Sequence, residues 1–204
     1  MEQRIPEGEV PEEVRLVNEF LNTVDLERFG EHADKPEAER EGLRSCERLE
    51  AWFVARGLLG KDETVGEQDL QLAVRVRDAL RSAASANSGQ AEERPDADRM
   101  SFEELPLVVR LDEAWRPKLA GAEGGVGGAL GRILADVVVA SSKGIWARMK
   151  ICAAEDCRWA YFDHSKSRTG RWCAMETCGN RHKTRRYRQR RRGSVGEGSQ
   201  AGRR

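Results

Sequence analysis

The sequence predicts a mainly α-helical N-terminal domain with one short β-hairpin, followed by a small module of a β-hairpin plus a basic helix. Three observations predict it. Apolar residues recur at helical spacing through most of residues 10–148. Four cysteines then stand in two matched pairs, Cys152/Cys157 and Cys173/Cys178, each pair enclosing four residues. A run of arginine follows the last of them at once.

The 204 residues are 39% hydrophobic and 34% charged, which suits a soluble chain of one medium domain with a small appendage or of two small domains. A formal net charge of zero hides a division. Residues 1–149 carry 20 Lys+Arg against 30 Asp+Glu, a net of −10, and residues 150–204 carry 15 against 5, a net of +10. An acidic body with a basic end points to a polyanionic partner, nucleic acid above all, and a solubilising tail is the plain alternative. Met1 to Val10 is polar and acidic and lacks the apolar core of an export signal. No stretch approaches the roughly 20 apolar residues that span a bilayer, so a cytoplasmic location and no membrane partner are expected. In that compartment clustered cysteines bind metal more often than they form disulfides.

Pro11-Glu12-Glu13 opens the first helix, with proline in the first turn and acids at the positive end of the dipole. Val14, Val17, Leu21 and Val24 follow on one stripe, and Gly30 to Glu41 reads as a charged loop. Ser45 caps a second helix carrying Leu49, Trp52 and Phe53 and ending at Gly57. Thr64 and Glu67 match a capping box for a third helix bearing Leu70, Ala73, Val76 and Leu80. Residues 85–101 read as a mobile linker. Leu107 to Leu111 and Trp115 to Leu119 form a short hairpin around Asp112-Glu113, Gly121 to Gly128 a loop, and Ala129 to Ser142 a fourth helix. The organisation expected is thus a helical domain over 10–148, a cysteine module over 149–192 and a disordered tail over 193–204.

Four thiolates at this spacing are a tetrahedral zinc set, which predicts one structural Zn2+ on Cys152, Cys157, Cys173 and Cys178 in a zinc-ribbon-like module. His164 and His182 offer a three-cysteine, one-histidine alternative. Zinc with four thiolates carries a net charge of about −2, for which Lys150, Arg158, Arg171 and Arg181 stand near as partners. Gly179 leaves room for backbone N–H groups near sulfur, and Asn180 is placed to cap the following helix. Trp159, Tyr161 and Phe162 read as a strand, turning at Ser167 to Gly170 towards Arg171-Trp172, with the aromatics as the small core. Cys46 reads as a filler position in the second helix.

The helix after the last cysteine has Arg181, Arg185, Arg188 and Arg192 on one stripe and Lys183, Arg186 and Arg190 on another. Only Tyr187 is apolar, so the helix has almost no face for a core. These residues, with Arg171, are the expected nucleic-acid contacts, because arginine makes bidentate bonds to phosphate and guanine.

At these residues the chain resembles the CGNR zinc-finger family, named for the run found here as Cys178-Gly179-Asn180-Arg181. The likeness extends over "CAAEDCRWAYFDHSKSRTGRWCAMETCGNRHKTRRYRQR", Cys152 to Arg190. Upstream, "FLNTVD" (Phe20 to Asp25) and the tryptophan-containing helix before Gly57-Leu58-Leu59 resemble the ABATE domain that accompanies this finger. The resemblance implies a bacterial transcription regulator, sometimes described as stress-related, with zinc on the four cysteines and the basic helix on DNA.

Duplex DNA is therefore the favoured partner, with RNA binding or a protein–protein adaptor as alternatives. The helical domain is expected to sense a small molecule or to form a homodimer. Asn22 and Trp52 are pocket candidates, with helix surface and core as their ordinary alternatives. An enzyme is not expected. The Gly124 to Gly128 run fails the dinucleotide pattern, and Gly60-Lys61 lacks the rest of a phosphate loop. A zinc ion with four protein ligands leaves no position for water.

Overall fold

The computed structural model describes residues 10–60, 62–89 and 102–196, with side chains through residue 191. Most of the expected linker (residues 90–101) and of the expected tail (197–204) lies outside the described residues. The elements are α1 (Glu12–Leu21), α2 (Glu37–Arg40), α3 (Cys46–Val54), α4 (Glu67–Asn87), β1 (Leu107–Leu111) and β2 (Pro117–Gly121). Then come α5 (Gly125–Ser142), β3 (Met149–Ile151), β4 (Ala160–Phe162), a π-helical turn at Met175–Gly179, and α6 (Asn180–Gly196).

The first helix follows its sequence signals. Pro11 precedes it, Glu12 and Glu13 fill its first turn, and Val14, Val17, Phe20 and Leu21 are buried. Ser45 caps α3 by accepting from the Arg48 N–H at 3.4 Å. At α4 the cap differs from expectation. Gly66 is the cap residue and Asp69 Oδ2 accepts from its N–H at 2.8 Å, so the reciprocal carboxylate comes from Asp69 rather than Glu67.

The segment expected as a plain charged loop is partly built. It contains α2 and bridges Val24 to Glu41, and its Arg40 is buried, donating to Glu27 O and His32 O. The β1–β2 hairpin pairs Val109 with Leu119. Trp115, expected in the second strand, instead occupies the turn at φ 58, because Asp112 Oδ1 accepts from the Ala114 and Arg116 N–H groups, each at 2.9 Å, and closes the turn around it.

The glycine-rich run is mostly helix. α5 starts at Gly125, four residues before the expected Ala129, and Glu63 Oε1 accepts from the Gly125 N–H at 2.8 Å. A Cβ on Gly131 would lie 2.5 Å from Gly121 Cα, so these glycines let α5 cross β2 at backbone distance. Among the described residues, α5 alone is long and apolar enough to cross a membrane, by length and composition. Its neighbours here are α1, α4 and β2, and Val126, Leu130 and Ile133 are buried in the core.

That core does not stop at residue 148. Phe20, Phe53, Val76 and Leu130 form one cluster with Met149, Ile151 and Ala160, so β3 and β4 pack on α4 and α1. The second cluster is the four cysteines with Tyr161, flanked by Trp159, Trp172 and Phe29.

Candidate metal centre and nucleic-acid interface

The first cysteine pair lies in the connection of the β3–β4 hairpin. Met149, Lys150 and Ile151 pair with Phe162, Tyr161 and Ala160, so the partner of the aromatic strand precedes the cysteines. Arg171-Trp172, expected as that partner beyond a turn at Ser167 to Gly170, form no strand. They reach the first pair through one bond, Ala153 N–H to Arg171 O at 2.8 Å. Cys152 N–H donates to Trp159 O and Cys157 N–H to Ala154 O, both at 2.9 Å. Arg158 reverses the chain at φ 56.

The second pair brackets the π-helical turn. Cys178 and Gly179 N–H groups both donate to Ala174 O. Asn180 is already helical, and its side chain donates back to Glu176 O at 3.3 Å, so it continues the turn instead of capping α6. Gly179 serves packing: a Cβ there would sit 2.6 Å from Met175 Sδ.

All four sulfurs lie within 4.8 Å of one another and are buried. Cys157 and Cys173 sulfurs are 3.7 Å apart, and Cys173 and Cys178 3.6 Å. A tetrahedron with zinc–sulfur bonds near 2.3 Å has edges of about 3.8 Å, so donor type and spacing both fit zinc. Hydrogen bonding with Cys157 first, then Cys173 and Cys178, pulls the Cys152 thiol down, and the same contacts, with Cys152 first, push Cys157 up. Sulfurs this close ionise together only around a cation. The four cysteines are positioned to bind one zinc ion, which fills its coordination and leaves a structural site.

Arg181 answers the anionic centre. Its Nη2 lies 3.5 Å from Cys178 Sγ and 3.0 Å from Asp156 Oδ1, and its guanidinium covers the Phe29 ring. Its Nε and Nη1 are buried without a hydrogen-bond partner among the described residues, which suits a group facing a diffuse negative charge. Lys150 turns away to Asp163 at 2.7 Å, and Arg171 is exposed beside Trp172. His164 meets Phe162 edge-on and His182 packs against Trp172, so neither histidine joins the sulfurs.

Sequence reasoning missed what joins the two parts. Asn22 donates to Ala160 O at 2.8 Å and accepts from Ala160 N–H at 2.9 Å, acting as a one-residue neighbour to β4. Asn18 donates to the same carbonyl at 3.0 Å. Arg81 of α4 donates to Leu21 O and Arg158 O, and burial, with the Arg77 charge next, lowers it to about 10. No local pattern marks these residues, since their partners are 60 to 142 positions away. Asn22→Ala is expected to cost about 1–3 kcal/mol in denaturant unfolding, because it leaves the Ala160 N–H unpaired and the Ala160 carbonyl with Asn18 alone. Trp52, the other pocket candidate, packs between Phe20 and Phe53 under the Arg56 guanidinium.

A second group, Asp25, Glu27 and His32, also brings its side-chain ligand atoms within 4.8 Å of one another, but the Lys35 ammonium already lies 2.7 Å from Asp25 Oδ2.

The expected nucleic-acid residues fall into three sets. Arg181 is half-buried against the cysteines. Arg185 is exposed yet held, its Nη2 2.9 Å from Asp156 Oδ2, so Asp156 clamps two turns of α6 to the first cysteine pair. Lys183, Arg186, Arg188, Arg190 and Arg171 are exposed. The Arg192 side chain lies outside the described residues.

Two family models match this arrangement. The CGNR zinc finger matches residues 148–191, and ABATE, described as "Putative stress-induced transcription regulator", matches residues 14–141. Both are regulator or zinc-finger families rather than enzyme families. No curated protein matches the chain. The ABATE match covers more than half of the residues and the finger most of the remainder, so this chain belongs to the ABATE family and carries a C-terminal CGNR zinc finger.

Proposed function

We propose that the protein is a cytoplasmic DNA-binding transcription regulator whose zinc centre holds α6 in place for contact with duplex DNA. One observation carries the reading. Residues 183–191 are all exposed and include six Lys and Arg, while the first turn of the same helix is fastened to the cysteines through Arg181 and Asp156. A helix without a core-facing stripe is marginal alone, and here its start is braced and its remainder left for a polyanion. An α-helix fits the major groove of B-DNA, which favours duplex DNA over A-form RNA, whose deep groove excludes side chains.

Electrophoretic shift of a duplex by zinc-loaded protein tests this. Binding is expected to weaken steeply with salt and to disappear with a chelator, and Arg185→Ala/Arg188→Ala is expected to lower the salt slope by about 2. Equal binding by metal-free protein would overturn the zinc-organised reading. Preference for structured RNA in competition would favour the RNA alternative, and an acidic protein partner with no nucleic-acid affinity the adaptor.

Self-association through the N-terminal domain is the second part of the proposal. Val109, Leu111 and Trp115 on the β1–β2 hairpin are 55–80% exposed, an apolar surface suited to a second copy. Sedimentation of Trp115→Ser against wild type checks it.

A further inference from the structure

Between β4 and the second cysteine pair lies a short turn with a scaffold of its own. The Lys150 ammonium and the Asp163 carboxylate are 2.7 Å apart and each 3% exposed. Taking both charges out of water is costly, and every further hydrogen bond of the pair goes to residues 165–170. Asp163 Oδ1 accepts from Ser165 N–H at 3.0 Å and Oδ2 from Gly170 N–H at 2.9 Å. Lys150 Nζ donates to Arg168 O at 2.5 Å and Gly170 O at 3.3 Å. Arg148 adds bonds to Asp163 O and Ser165 O. Gly170 must be glycine, since a Cβ would lie 2.7 Å from the Asp163 carboxylate.

What this scaffold presents is Lys166, Ser167, Arg168 and Thr169, all exposed. Arg168 is held at φ 55, a left-handed conformation unusual for a side chain of its size. Neither Lys166 nor Arg168 has an acidic partner among the described residues. Ser167 and Thr169 hydroxyls are 2.7 Å apart. Two cations without an acidic partner among the described residues, and the one hydroxyl proton that the Ser167–Thr169 bond leaves free, form a donor set for phosphate oxygens. The turn runs through Arg171 into Trp172, whose ring packs against His182 in the first turn of α6 at 4.6 Å.

We infer that the 165–170 turn is a second contact to the phosphodiester backbone of DNA, with Lys166 and Arg168 neutralising phosphates beside the helix that enters the groove. The inference rests on the DNA-binding reading above. Phosphate contacts fix register and orientation without reading sequence, so the turn anchors the module while α6 supplies any discrimination.

Fluorescence anisotropy of the zinc-loaded full chain on two unrelated duplexes, across a salt series, tests it. Lys166→Ala/Arg168→Ala is expected to flatten the salt slope by about 2 and to weaken both duplexes equally. Arg168→Gly separates binding from folding: it relieves the left-handed backbone, so the melting temperature holds or rises while the slope still flattens by about 1. Wild-type slope and affinity in both variants would overturn the turn's role and leave the helix reading standing. A wild type with no salt-dependent binding would overturn both at once.

Discussion

Removing zinc is expected to lower the stability of the whole chain, not of the finger alone. The four sulfurs hold the β3–β4 connection, and the strands on either side of it bury Met149, Ile151 and Ala160 in the same cluster as Phe20, Phe53 and Val76. Structural zinc contributes about 10–16 kcal/mol in isolated fingers near neutral pH, against the roughly 5–15 kcal/mol of net stability of an ordinary domain. A chelator, or Cys157→Ser, therefore also loosens α1 and α4, whose Asn22 and Arg81 bonds to Ala160 and Arg158 need that connection in place. Hydrogen exchange resolved along the chain measures this. Loss of protection confined to residues 149–191, with α1 and α4 amides unchanged, would show that the helical core stands without the metal. Acid acts in the same direction, since zinc requires thiolates and protons compete for them as pH falls.

The metal centre was legible in the sequence because its information is local. Four cysteines within 27 positions, an aromatic strand between them and a run of arginine name the donors, the small core and the basic helix without any tertiary knowledge. Helices α1 and α3 were legible for a similar reason, as Pro11 and Ser45 punctuate clear apolar stripes. Long-range contacts set what the sequence did not show. Nothing around Asn22 says that its amide imitates a strand for Ala160, and nothing around Arg81 says that it reaches Arg158. The glycines from 121 to 128 read as a loop because glycine ordinarily breaks helices, and here close approach of α5 to β2 outweighs that propensity. Asp156 was the overlooked local signal: an acid beside a ligand cysteine in a strongly basic module pairs with whichever arginines pack against it.

Asp163→Asn is expected to destabilise the protein by about 3–5 kcal/mol, because it leaves the Lys150 ammonium buried with only carbonyl partners. In a chain of this size that lowers the melting temperature by roughly 10 °C. The pH dependence separates this pair from the zinc. Burial alone would raise the Asp163 carboxyl, but the Lys150 ammonium, Ser165 and the Gly170 N–H hold it down at about 2. A depressed carboxylate contributes stability above its unfolded value near 3.8 and loses it only as pH falls towards about 2. The gap between wild type and Asp163→Asn is thus flat from about pH 8 to pH 5, and any loss of zinc in that range belongs to the thiols. A gap that closes in this window would reassign the effect. Replacing the pair by Lys150→Met/Asp163→Leu removes both buried charges together and recovers much of the stability lost in the single variant. It does not restore the turn, because the Ser165, Arg168 and Gly170 backbone groups then lose their partners. Stability regained without regained DNA affinity is the outcome expected if this ion pair is retained for the turn it holds rather than for the fold, and affinity restored along with stability would refute that.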